Sequence, residues 1–206
     1  MPTSPEELKF WEDRYATPDY AFGTAPSYFL AQCKPLLPKS GTALAVADGE
    51  GRNGVWLAEQ GLTVTAVDFS PSALNKARAL AAQRKVNVTF IEADVHTWPY
   101  PDAAFDVVAE VFTQFSTPPD RTLKWAGMRR ALKPGGLLIL QGYSPKQLEY
   151  RTGGPGVLDQ LYTRAMLEEA FGDFRDLKIV EEERELNEGR SHAGISAVIN
   201  LTGWKR

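Results

Sequence analysis

Two hydrophobic periods alternate along this chain. Short apolar-rich runs recur at residues 43–46, Leu62–Val67, Asn87–Ala93, Phe105–Val111 and Leu137–Gly142, the last fully apolar. Runs of this length predict strands buried on both faces. Between them the spacing lengthens to that of amphipathic helices. One helix ends at Gly61 with Val55, Leu57 and Ala58 on its packing face, and one starts at Ser70-Pro71 with Leu74, Ala77, Leu80 and Ala81 inward. Another opens on Thr117-Pro118-Pro119-Asp120 and ends near Lys133-Pro134-Gly135-Gly136. Strand and helix alternating through five strands predict a parallel sheet covered on both faces.

The two ends depart from that alternation. Ser4-Pro5-Glu6-Glu7 combines a capping serine, proline at the first helical position and glutamate three after the serine, so it predicts a helix start. That helix carries Leu8, Trp11 and Tyr15 along one side, and a second helix is expected from about Ala25 through Leu36. The aromatic-rich segment around them reads either as packing or as a lid over a ligand. At the other end Thr163–Phe171 predicts a helix stopped by Gly172, followed by strands Leu177–Leu186 and Ser191–Trp204. Asn187–Arg190 is too short a joint for anything but an antiparallel hairpin. The fold class is therefore α/β: a Rossmann-like, doubly wound sheet of seven strands, mostly parallel, with a C-terminal antiparallel hairpin. One domain over 1–206 is expected, with 1–40 as a helical lid and 41–206 as the core.

Composition narrows the class of function. At 206 residues, 43% hydrophobic and 24% charged, the chain matches one globular α/β domain. A net charge of −3 argues against a nucleic-acid binder, and the clustered Arg129, Arg130 and Lys133 sit where cations favour a helix C-terminus. The single Cys33 lies among apolar residues and reads as a buried structural thiol; with two histidines and no ligand spacing, no metal site is expected. No export signal or membrane run is read in the sequence, so a cytoplasmic protein without a membrane partner is expected.

The stretch Ala43–Gly61 concentrates the chemistry. A strand turning through Gly49 and Gly51 into a helix leaves backbone N–H groups pointing outward at the positive end of the helix dipole. Asp68, ending the second strand beside that turn, is placed to accept hydrogen bonds from both hydroxyls of a ribose. Together they predict a site for a nucleoside cofactor. Asp68 and Asp94 also suit turn or helix caps taken singly. Asp106, at the start of the fourth strand, is expected to be a turn residue.

These residues resemble a class I S-adenosylmethionine-dependent methyltransferase over almost the whole chain. The resemblance rests on the turn at Ala47–Asn53, Asp68, Asp94, Leu132-Lys133-Pro134-Gly135-Gly136 and the terminal hairpin. Within the superfamily the chain is most similar to the tellurite-resistance and thiopurine-type branch, through Phe10-Trp11-Glu12-Asp13-Arg14-Tyr15, Gly51-Arg52-Asn53 and Thr152-Gly153-Gly154-Pro155. The resemblance implies S-adenosyl-L-methionine as cofactor and S-adenosyl-L-homocysteine as product. Ala47, Asp48 and Gly49 would hold the methionine part, Asp68 the ribose, and Asp94 with Val95 the adenine. Phe69 would lie against the adenine and Glu110 would line the floor. The chain departs from the family where Ala45 and Ala47 replace the usual acid and first glycine, so Asp48 is expected to meet the cofactor's ammonium.

The acceptor is expected to be a small molecule, first of all a thiol or another sulfur, selenium or tellurium nucleophile, which needs little help from a base. An oxygen or nitrogen acceptor would want one. The hairpin turn is expected at the ligand rim, making His192 a candidate substrate contact or base. Trp11, Tyr15, Tyr143, Tyr150 and Arg151 are expected to bind substrate. A nicotinamide-dependent oxidoreductase and a non-catalytic cofactor-binding module remain as alternatives. Thr117-Pro118-Pro119 comes too late after the fourth strand for a base-methylating motif and is read as a helix start.

Overall fold

The computed structural model describes residues 4–206; residues 1–3 of the expected domain lie outside the described part. The apolar runs form the strands of one seven-stranded sheet in the order β3-β2-β1-β4-β5-β7-β6. These are β1 (Gly41–Val46), β2 (Leu62–Asp68), β3 (Val88–Glu92), β4 (Phe105–Val111), β5 (Leu132–Tyr143), β6 (Arg175–Asn187) and β7 (Ala193–Trp204). Pairs among the first five are parallel, and β7 runs antiparallel to both β5 and β6. β6 therefore points the same way as β5, and the hairpin turn lies at the carboxyl edge where the parallel strands end. Edge strand β6 carries Glu181, Glu182, Glu183, Arg184 and Glu185, charges that discourage pairing with a further strand.

Helices cover both faces, as buried parallel strands require. On one face α2 (Tyr28–Gln32) and α3 (Arg52–Glu59) press Leu30 and Leu57 against Ala43, Val64, Val107 and Ile139. Next to α3, α4 (Pro71–Arg84) adds Leu80 and Ala81 to Val55. On the other face α5 (Pro118–Ala131) and α7 (Arg164–Phe171) bring Trp125, Met128, Leu167 and Phe171 onto Leu44, Val108, Leu138 and Leu140. The N-terminal α1 (Pro5–Tyr15) starts as expected, with the Ser4 hydroxyl accepting the N–H of Glu7.

Several boundaries differ from the pattern. The second helix begins only at Tyr28, capped by Ser27, and gives way after Gln32 to a 3-10 turn at Lys34–Leu36. Proline at 26 and 35 excludes backbone donors from a longer helix. β5 starts at Leu132 rather than Leu137, because residues 133–136 run on as strand: Gly135 N–H donates to Lys205 and Lys205 N–H to Gly136. A short helix α6 (Gln147–Tyr150) follows β5 where no element was expected. The clustered cations are paired: Arg129 with Asp173, Arg130 with Asp102 and Lys133 with Asp106. Asp106 also accepts the Thr42 N–H at 2.8 Å, so it ties the start of β4 to β1.

Candidate functional site

Three left-handed residues, Ala47, Gly49 and Gly51, fold the chain between β1 and α3 into a tight turn. A side chain on Gly49 would meet the Tyr15 hydroxyl at 2.9 Å and would sit at a left-handed φ of 57°, so glycine suits the close approach of α1. Both Asp48 oxygens accept the Gly54 N–H, at 3.0 and 3.1 Å, which caps the first turn of α3. Asp68 accepts from Gly49 N–H at 2.7 Å and Ser70 N–H at 2.9 Å, and so braces the turn against the start of α4. Burial pushes the Asp48 carboxyl up to about 7, opposed by its Gly54 bond and reinforced by the Asp68 charge. Burial likewise raises Asp68 to about 6, against its backbone hydrogen bonds.

A narrow void of about 580 Å³, counted out to its mouth, opens beside this turn. Of the expected cofactor residues, Ala47, Asp48, Gly49, Asp68 and Phe69 line it, and so do Trp11, Tyr15 and His192 from the expected substrate and catalytic sets. Two acids beside a tight glycine turn suit a ligand with an ammonium and a diol. S-adenosylmethionine meets that description, so the residues present fit it.

Other expectations are corrected. Glu110 does not line the void. It is fully buried, paired with Lys124 at 2.7 Å, and accepts from Thr113, Trp125 and Tyr162. Strand alternation decides this: Glu110 shares the α5 face of β4 with Val108. Burial raises its carboxyl, but the Lys124 ammonium and these bonds outweigh it and hold the group low. Asp94 and Val95 also stay off the void. Asp94 accepts the His96 N–H at 2.9 Å, and Val95 is buried in the core. Phe115, packed on both Phe69 and His96, stands where the void ends. Tyr150 bonds outward to Glu183 and Arg151 is exposed, because α6 turns the chain away from the rim. Tyr143 is buried in the second void described below.

The residues that assemble the rim went unnoticed in the pattern. Glu50 is buried, accepts the N–H groups of Ala21 and Phe22, and pairs with Lys76 at 2.7 Å. Arg52 pairs with Glu188 of the hairpin turn at 2.8 Å, and Glu188 also accepts the Tyr28 N–H. Asn53 accepts the Ser27 N–H. Glu12 receives Ser70 and Ser72, fastening α1 to the start of α4. The Gly51-Arg52-Asn53 motif and Glu12 within Phe10–Tyr15 were the visible signals; their partners lie far away in sequence.

A second void adjoins the first through Trp11, Phe22, Phe112, Phe115 and His192, which border both. It also takes in Arg14, Gln114, Tyr143 and the glycine-rich segment 153–156. His192 is 6% exposed, with Phe112 at 4.5 Å, Phe22 at 4.6 Å and Tyr143 at 5.6 Å between ring centres. Its Nδ1 and the Tyr143 hydroxyl find no hydrogen-bond partner among the described residues. Burial, then the Arg52 and Arg14 charges, drive the imidazole well below its usual pKa, so it is neutral. No cluster of metal-ligating side chains occurs among the described residues.

With that geometry in view, residues 43–136 match the family model described as a methyltransferase domain. That segment is similar to methyltransferase domains. A demethylmenaquinone methyltransferase of Deinococcus radiodurans is 39% identical over 104 residues, 50% of this chain and 43% of that protein. The chain spans about half the length of the curated relatives it matches. Among solved structures, a SAM-dependent methyltransferase from Methanosarcina mazei superposes with a TM-score of 0.70 at 19% identity, covering 87% of this chain and 98% of that one. TehB from Haemophilus influenzae gives 0.70 at 15% identity, covering 97% and 67%. The fold is that of the class I S-adenosylmethionine-dependent methyltransferases, and S-adenosylmethionine is the cofactor that the matched segment and the fold indicate. No described helix is long and apolar enough to cross a membrane.

Proposed function

We propose that this protein transfers a methyl group from S-adenosylmethionine to a small molecule whose nucleophile is sulfur or another chalcogen. The observation that carries this reading is the pair of joined voids, one bordered by buried acids and the next by aromatic rings around a neutral His192. Asp48 meets the ammonium, Asp68 the ribose hydroxyls, and Phe69 the adenine. α1 acts as a lid, closing Trp11 and Tyr15 over the cofactor. The bound cofactor supplies an electrophilic methyl carbon on a sulfonium. The chain's part is to align the acceptor with it and to keep water out, which aromatic walls do well.

His192 touches the acceptor, and His192→Ala is expected to lower turnover by more than about tenfold while leaving cofactor affinity within about twofold. The deciding assay scores S-adenosylhomocysteine release across thiols, selenite, tellurite, amines and carboxylates. Release with sulfur, selenium or tellurium acceptors supports the reading. Cofactor binding with no release for any acceptor overturns it in favour of a binding module. Because relatives matched over half the chain are named demethylmenaquinone methyltransferase, a soluble naphthoquinol belongs in the panel as a test of transfer to ring carbon.

A further inference from the structure

His96 lines neither void, yet it stands behind Phe115, the ring that borders both. Its side chain is 3% exposed and sits between two loops. Asp94 Oδ1 lies 3.0 Å from His96 Nδ1, and the Ser116 hydroxyl lies 2.8 Å from Nε2. A carboxylate beside Nδ1 favours the tautomer with its proton there, so Nε2 accepts from Ser116. Asp94 follows β3 and Ser116 precedes α5, so the three groups tie those two loops together. The backbone on both sides of Phe115 is pinned. The Thr113 hydroxyl donates to Glu110 at 2.6 Å and the Gln114 amide to the Tyr143 carbonyl at 2.9 Å. The Phe115 carbonyl accepts from Gln160 at 3.3 Å. The Phe115 ring is then placed by its neighbours. Phe69 and Trp11, which line the first void, have ring centres at 6.1 Å, and His96 meets it edge-on at 5.6 Å from behind.

Asp48 and Asp68 border the turn, Phe69 follows Asp68, and Phe115 packs on Phe69. A nucleoside with its ammonium at Asp48 and its ribose at Asp68 lays its base on Phe69. The part of the base farthest from the ribose, with the exocyclic amino group, then meets Phe115. We infer that His96 is a positioning residue: held between Asp94 and Ser116, it backs Phe115, fixes where the cofactor void ends and so restricts the site to a base whose amino group is unsubstituted. This deepens the cofactor part of the methyl-transfer reading and rests on it. Without the imidazole the Phe115 ring gains space behind it and turns back into that space, which lengthens the void at its base end. Glutamine at position 96 still accepts the Ser116 hydroxyl through Oε1 and fills most of the same volume.

The test titrates the full chain calorimetrically with S-adenosylhomocysteine and with its derivative benzylated on the adenine amino group. Wild type is expected to prefer the unsubstituted ligand by more than about tenfold. His96→Ala and Phe115→Ala are each expected to shrink that preference to about threefold or less, and His96→Gln to restore it. His96→Ala combined with Phe115→Ala should match Phe115→Ala alone, because His96 acts through that ring. General loosening of the fold weakens both ligands alike and leaves their ratio unmoved, so the ratio isolates positioning. Where His96→Ala does not fold, Ser116→Ala takes its place and is expected to cut the preference about twofold or more. Equal binding of the two ligands by wild type overturns the inference. So does an unchanged ratio in folded His96→Ala or its Ser116→Ala substitute, a His96→Gln ratio no better than that of His96→Ala, or a further fall in the double variant. Failure of wild type to bind S-adenosylhomocysteine at millimolar concentration overturns the cofactor reading instead.

Discussion

Asp48 does two jobs that pull in opposite directions. Its carboxylate caps α3 through Gly54, and it borders the void that fits a cationic ligand. Asp48→Ala is expected to lower cofactor affinity about tenfold, or 1.4 kcal/mol. It should also cost about 1 kcal/mol of fold stability from the lost cap. Calorimetric titration and urea unfolding separate the two, and an affinity loss below about threefold would remove Asp48 from the ammonium site. The raised carboxyls give a pH dependence of known sign. Asp48 at about 7 and Asp68 at about 6 both lie above the ordinary 3.8. Their contribution to stability is therefore present below the ordinary value and lost as pH rises through 6 and 7. A bound cation favours the ionised carboxyls, so cofactor affinity should rise between pH 5 and 7, by up to about tenfold per pH unit for each titrating group, with protons released on binding. Titration in buffers of different ionisation enthalpy checks this, and proton uptake would contradict it.

Charged side chains fasten short elements at the rim beside their aromatic contacts. α1 is fastened by Glu12, the loop after it by Glu50, and the hairpin turn by Glu188 on Arg52. The last pair is nearly inaccessible to solvent, so removing one member leaves a buried charge without its partner. Glu188→Ala is expected to lose about 3 kcal/mol in urea unfolding. Adding Arg52→Met should cost less than the two single losses together, because both remove the same contact. Additive losses would show that the pair does not couple the elements. Gly51-Arg52-Asn53 was visible as a motif, yet its job was not. Each partner lies on an element that only the hairpin and the folded N-terminal loop bring within reach.

At the scale of the molecule, β1, β4 and β5 lie at the centre of the sheet with helices on both sides, whereas α1 lies over the voids. Hydrogen exchange is expected to be slowest in those three strands and faster in α1 and the segment 153–156. S-adenosylhomocysteine should slow exchange in α1 around Trp11–Ala16, and no change there would argue against a lid. The Glu110–Lys124 pair under the sheet joins β4 to α5 with both side chains inaccessible. Lys124→Met alone is expected to destabilise by about 3–5 kcal/mol, and Glu110→Leu with Lys124→Met by much less. Urea midpoints distinguish these, and equal losses would mean that the pair is not what joins them.

Hydrophobic period and turn chemistry by themselves determined the strands, their largely parallel order, the closing hairpin and the turn that presents Asp48, Gly49 and Asp68. Those features are local: a run of apolar residues, a left-handed turn position and a joint too short to cross over are each written in neighbouring residues. Tertiary structure alone decided which side chains face the voids. Glu110 looked like a ligand group until strand alternation turned it toward Lys124, and Tyr150 and Arg151 were carried off the rim by α6. Arg14, Glu50 and Glu188 gained their positions from contacts between elements distant in sequence. Orientation and charge pairing depend on what the rest of the chain places opposite a residue, and no local pattern encodes that.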